Sequence, residues 1–290
     1  RYEKSIEQYA HLLESEKPDG FLVYDVIDEP SRSGKPRPFP FRAGCCPTKF
    51  CFDLMKALSM PSIEPVLFHV VPTQTKQAFE QWLEEIRSES VHSVCLVGAP
   101  TSQQTFEGYS VTQACDKLKE AHCDQLLCGV MLPERHAVKK DEPERIAAKM
   151  AHGIEMFVTQ VVYNAELVIN VLKDYAKTQP SNCVRILLTF APVAVAKTIE
   201  FLRWLGCDVP SEHEKRILEA EKPALESTKV CKQNLAKILT FAKHHDNLLT
   251  YVSFGVSVEA VSGNRSELAQ TSILLTSLRK QLNEFYQQKN

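Results

Sequence analysis

Residues 125–160 decide the fold. They run Gln125-Leu126-Leu127-Cys128-Gly129-Val130-Met131, then Leu132-Pro133-Glu134-Arg135-His136, then Asp141-Glu142-Pro143-Glu144-Arg145-Ile146 on to Lys149 and Gly153, then Met156-Phe157-Val158-Thr159-Gln160. The first run is continuously apolar and does not alternate, which marks a strand covered on both faces, as in a parallel sheet. A polar segment follows, and then a helix with explicit start signals. Asp141 with Glu144 three residues on forms a capping box, and Pro143 sits in the first turn. Gly153 suits a left-handed cap at the helix end. The second apolar run closes one strand–helix–strand unit.

The same pattern repeats outward in both directions. Strands are predicted at 21–27, 66–71, 93–97, 125–131, 156–160, 184–190, weakly at 207–209, and at 256–261. Between them lie amphipathic helices. One, over 76–86, places Phe79, Trp82, Leu83 and Ile86 on one face. Another is opened by Ser110, with Gln113 at the capping-box position, and a third by Asn164. Ser266 is read as the start of the last, with Ile273, Leu274, Leu278, Leu282 and Phe285 inward. Residues 30–47 read as a long loop, and 211–246 as an excursion of two helices. About eight βα units predict an α/β chain folded as a single (β/α)8 TIM barrel over 1–290, with that excursion at about 211–246. A doubly wound sheet would want a glycine-rich phosphate loop after strand one. Tyr24-Asp25-Val26-Ile27-Asp28-Glu29-Pro30 stands there instead.

Composition narrows the function. The chain has 290 residues, 44% hydrophobic and 24% charged, which suits a folded domain with a sizeable core. Lys plus Arg is 34 and Asp plus Glu is 36, so the formal charge is -2 and the basic excess of a dedicated nucleic-acid binder is missing. No apolar run approaches the roughly 20 residues of a membrane helix. Ten scattered cysteines, several inside apolar runs, read as buried free thiols in a reducing compartment: the cytoplasm, or an organelle matrix if a targeting segment has been removed. Cys45-Cys46 and Cys51 match no usual zinc spacing, so no metal is expected.

In a barrel, chemistry sits at the C-terminal ends of the strands. That rule selects Asp25, His69, Gly98, the segment 133–136, Thr159-Gln160 and Asn264-Arg265. Asp25 interrupts an apolar strand, where a carboxylate needs a purpose or a partner. Gln160 ends another, where an amide needs a hydrogen bond.

The segment Pro133-Glu134-Arg135-His136, the helix with Arg145, Lys149 and Gly153, and the strand ending Thr159-Gln160 resemble methylenetetrahydrofolate reductases. Glu64-Pro65, Phe190-Ala191-Pro192-Val193 and Gly263-Asn264-Arg265 extend the resemblance along most of the chain. That family is a flavoprotein on a (β/α)8 barrel. The resemblance implies an FAD-dependent oxidoreductase of one-carbon metabolism, with NADH or NADPH as electron donor and a folate as substrate. It assigns His136, Arg145, Lys149 and Gly98 to the cofactor, Gln160 to the pterin, and Asp25 to the proton donor, where the family carries a glutamate. Cofactors of this kind do the redox chemistry while the protein binds and orients. Val97 and Ala99 stand where the family has Arg and Asp beside the flavin. The alternative is therefore a catalytically reduced relative, a binding or assembly protein without flavin. Homo-oligomerisation is open in either case.

Overall fold

The computed structural model describes residues 2–29, 31–32, 35–41, 44–89, 91–99, 106–245 and 247–288. In chain order the elements begin α1 (Tyr2–Glu16), β1 (Gly20–Val23), a small hairpin of β2 (Ser31–Arg32) and β3 (Lys35–Pro36), α2 (Pro47–Ala57), β4 (Glu64–Val70) and α3 (Lys76–Ser88). They continue with β5 (Ser93–Val97), α4 (Val111–Glu120), β6 (Leu126–Met131), α5 (Pro133–Lys139), α6 (Glu142–Ala151), β7 (Ile154–Val161) and α7 (Ala165–Lys177). The last are β8 (Val184–Phe190), α8 (Ala196–Leu205), α9 (Ser211–Leu218), α10 (Pro223–His244), α11 (Leu248–Tyr251), β9 (Val252–Val258) and α12 (Arg265–Gln287).

The chain divides into two compact units. The first comprises Arg1–Asp28, Arg42–Val130 and Lys149–Glu155; the second comprises Glu29–Phe41, Met131–Ala148 and Met156–Asn290. In the first unit β1 pairs with β4, β4 with β5, and β5 with β6, all parallel. Gly20 lies opposite Glu64 in that ladder, and a Cβ there would stand 2.3 Å from the Glu64 carbonyl oxygen, so only glycine fits. Helix α3 buries Phe79, Trp82, Leu83 and Ile86, the four residues its sequence period selects. Ser110 and Gln113 make the reciprocal capping box at the start of α4. Gly153 has φ +97, the left-handed conformation expected after α6. Ile6, Ala10 and Leu54 pack α1 on α2, two helices that sequence period alone did not pick out.

In the second unit β7 pairs with β8 and β8 with β9, again in parallel. Asn164 caps α7 through Glu166 N–H. The excursion is the two helices α9 and α10, and it is tied to the segments that follow the strand ends. His213 and the Asn234 amide both bond the Tyr163 carbonyl, at 2.9 Å each, and Val193 N–H donates to Ser227 Oγ at 2.9 Å.

Four expectations are corrected. Strand one stops at Val23, so Asp25 stands beyond its end instead of inside it. No strand forms at 207–209: Gly206, with φ +102, ends α8, Cys207 N–H donates to Leu202 O at 2.9 Å, and Arg203 takes the Val209 carbonyl at 2.8 Å. With Asp208 N–H donating to Glu134 Oε1, these bonds take the place of a sheet ladder along the segment. The last helix starts two residues early, because Asn264 Oδ1 accepts from the N–H groups of Ser266 and Glu267. Its inner face holds Leu274 and Leu278, while Ile273 is 53% exposed. Seven parallel strands thus stand among the described residues where eight were expected. The fold class itself holds: an α/β chain of the TIM-barrel type, with strands joined through helices.

Candidate functional site

The second unit places Glu134 and Gln160 on one short segment, Cys207-Asp208. Pro133 opens α5 directly after β6, which sets Glu134 in the first turn. Glu134 Oε1 accepts from Asp208 N–H at 3.4 Å, while Oε2 is buried without a hydrogen-bond partner. Burial is the largest reason its carboxyl is pushed up to about 6, and the nearby negative charges of Asp208 and Glu142 add to it. Gln160 sits where the β7–β8 register shifts between Val158 and Val161. Such irregularities re-aim side chains beside functional sites. Thr159 fills the break, its Oγ1 accepting from Thr189 N–H at 3.0 Å. Gln160 stays half-buried, with Oε1 3.9 Å from the Cys207 sulfur. Burial, reinforced by the Glu134 charge, holds that thiol well above its usual range, so it is a neutral, weak donor. Asn164 Nδ2 donates to Asp208 Oδ2 at 2.6 Å and fixes the far side of the segment. The result is a carboxylate oxygen without a partner and a half-buried amide that faces a weak thiol donor.

The first unit holds Asp25 and His69. Asp25 Oδ2 accepts from Val70 N–H at 2.9 Å, beyond the end of β1. Burial raises its carboxyl, and that backbone bond works against the rise. His69 is 4% exposed and stacks on Trp82, with ring centroids 3.8 Å apart and planes 10° from parallel. Its Nε2 has no partner, and burial pushes its ionisation down to about 4. Trp82 is held in turn by Thr48, whose Oγ1 accepts from Nε1 at 3.1 Å.

The residues assigned to a cofactor are placed as follows. His136 is 1% exposed and sits 3.0 Å from Asp174 Oδ2 on α7. Arg145 is exposed, with Nε 3.7 Å from Glu142 Oε2. Lys149 Nζ donates to the Val130 carbonyl at 2.8 Å. Gly98 follows β5, and a Cβ there would meet Val111 at an ordinary 3.7 Å, so the position does not require glycine. Among the described residues no three His, Cys, Asp or Glu side chains are grouped to hold a metal. Within them, no helix is long and apolar enough to cross a membrane.

Sequence reasoning named Gln160 and Asp25 and missed the Cys207-Asp208 segment, reading it as a strand. Glu134 stood in a quoted motif, but nothing in the sequence showed that one of its oxygens is left over.

This is the architecture of a TIM-barrel protein with polar groups gathered at strand ends. Among solved structures the chain is similar to an uncharacterized protein from Clostridium thermocellum that binds two copies of 5-methyl-5,6,7,8-tetrahydrofolic acid. The TM-score is 0.74 at 24% identity, over 96% of this chain and 90% of that one. It is also similar, at TM-score 0.44 and 11% identity over the same shares of the two chains, to 2,3-dimethylmalate lyase, a member of the PEP mutase/isocitrate lyase superfamily. No protein-family model matches the chain, and no curated protein matches it by sequence.

Proposed function

We propose that the chain binds a reduced folate, holding the pterin edge with Glu134 and Gln160. The observation that carries this reading is the buried, partnerless Glu134 Oε2. A buried acceptor left unsatisfied costs about 1–3 kcal/mol, and a ligand that brings a donor recovers it. A pterin presents a ring N–H beside an amino group, two parallel donors that suit a carboxylate. Gln160 both donates and accepts, which suits the oxo and ring-nitrogen side. The full-length likeness to a protein that binds 5-methyltetrahydrofolate supports the same ligand class.

Flavin-dependent methylenetetrahydrofolate reduction is the finer reading. Asp25 favours it, since a carboxyl raised by burial is suited to deliver a proton. FAD when bound would supply the hydride chemistry, with NADH or NADPH as donor. The fit to FAD is incomplete, because the His136 ring is sealed from solvent against Asp174 and Lys149 faces a backbone carbonyl.

Calorimetric titration with 5-methyltetrahydrofolate tests the first reading. Saturable binding is expected, weakened about tenfold or more (about 1.4 kcal/mol) in Glu134→Gln. A chain that ignores the folate overturns it. A visible flavin band after addition of FAD, followed by an NADH- or NADPH-dependent assay, tests the second.

A further inference from the structure

We propose that the cleft beside Trp82 in the first unit is a second binding site, one that takes a small organic cation such as a protonated amine. The cleft measures about 210 Å³ and lies among the end of β4, the start of α2 and the first turns of α3. Phe68 and Trp82 give it aromatic walls. Asp25 and Glu85 give it two carboxylates, and among the described residues no lysine or arginine lines it. Aromatic faces joined to carboxylates, with no competing cation, are the chemistry that recognises positive charge.

His69 supplies the second, independent observation. Its ring lines the cleft and is 96% withdrawn from solvent, given its 4% exposure, and its Nε2 lacks a partner. Because burial keeps the ring neutral near pH 7, it adds no positive charge and offers a nitrogen to a donor. Its stacking on Trp82, and the Trp82–Thr48 bond, hold the wall rigid before any ligand arrives. A metal ion is the competing cation. Among the described residues no three metal-binding side chains are grouped, so the geometry favours an organic one. The size points the same way, being smaller than the 300–1,000 Å³ typical of a drug-sized ligand and right for a fragment with one charged group. Every described lining residue belongs to the first unit, while Glu134 and Gln160 belong to the second, so this inference does not rest on folate binding by that pair; it shares Asp25 alone with the reductase reading.

The chain has two tryptophans, Trp82 and Trp204, so Trp204→Phe leaves Trp82 as the sole reporter. Its emission is titrated at pH 7 with 2-phenylethylamine and, separately, with the neutral 2-phenylethanol. The amine is expected to shift the emission saturably, with the alcohol about tenfold weaker or worse. Glu85→Gln, at an exposed position, is expected to narrow that gap at least about threefold and leave the alcohol unchanged. Calorimetry on the unaltered chain makes the same comparison without any substitution. Equal or tighter binding of the alcohol, a saturable response to neither compound, or full amine selectivity in Glu85→Gln would each overturn the proposal.

Discussion

The two units bury a histidine in opposite company. His69, in the first, lies flat on an indole with no carboxylate against its free nitrogen, and burial drives its ionisation down to about 4. His136, in the second, is as deeply buried and meets Asp174 at 3.0 Å. Asp174 is held low by Lys177 first and His136 after it. Depth of burial therefore does not assign a histidine's chemistry; the group placed against it does. The carboxylates share one feature and differ in another. Each spends one oxygen on a backbone N–H, Asp25 on Val70 and Glu134 on Asp208, and Glu134 keeps its other oxygen buried with nothing to accept from.

Emptying the aromatic stack that holds His69 should have the largest effect. Phe79 is fully buried against His69, Trp82 and Tyr109. Phe79→Ala is expected to cost about 3–5 kcal/mol in urea unfolding. The His69 ionisation should then move back toward its ordinary value as water enters, readable by NMR titration of the ring. A ring that still titrates near 4 in the variant would show that the stack is not what keeps it dry.

The pH dependence of stability should carry opposite slopes from the two units. His69 has a folded ionisation of about 4 against an ordinary 6.5, so between those values the unfolded chain binds the extra proton and stability falls as pH falls. The whole effect is on the order of 3 kcal/mol. Glu134 runs the other way. Its folded value of about 6 against 4.5 means the folded chain holds the extra proton, so stability falls as pH rises through that window, by on the order of 2 kcal/mol. The two windows overlap between pH 4.5 and about 6, where the slopes oppose each other, so His69→Phe should leave stability falling as pH rises there and Glu134→Gln should steepen its rise. Urea midpoints from pH 4 to 7 read both; a variant whose slope matches that of the unaltered chain shows that the substituted residue does not set it. Folate binding to Glu134 should strengthen as pH rises through about 6, since the ionised carboxylate is the better acceptor, and Glu134→Gln should lose that dependence.

The same contrast marks what the sequence could disclose. Features written in local periodicity came through: the buried face of α3, the Ser110 box, the Asn164 cap, the left-handed Gly153, and seven of the eight strands. Features fixed by distant partners did not. Residues 207–209, Cys-Asp-Val, look like a short strand, yet Gly206 and Arg203 commit them to the end of α8. Glu134 reads as one more acid after a proline, and only packing reveals its unmatched oxygen. Glu267 is 1% exposed and accepts from Ala194 N–H, Thr198 and Ser262, a clamp between segments about 70 residues apart that no spacing rule announces.

The smallest expected effect compares the caps of the two units. Ser110 accepts from Gln113 N–H at 3.3 Å while Gln113 Oε1 accepts from Ser110 N–H at 2.9 Å. Asn264 accepts from Ser266 N–H at 2.9 Å and from Glu267 N–H at 3.4 Å, while its own N–H donates back along the chain to Ser262 Oγ at 3.1 Å. Ser110→Ala and Asn264→Ala should each cost about 1 kcal/mol. Gln113→Ala should cost less than Ser110→Ala, because it frees one exposed N–H that water can take. The double variant Ser110→Ala with Gln113→Ala should fall short of the sum of the two singles, since the bonds form one unit. Strict additivity in thermal unfolding would mean that the box is two independent contacts. The cap at Ser110 would then differ from that at Asn264 in geometry but not in energetic kind.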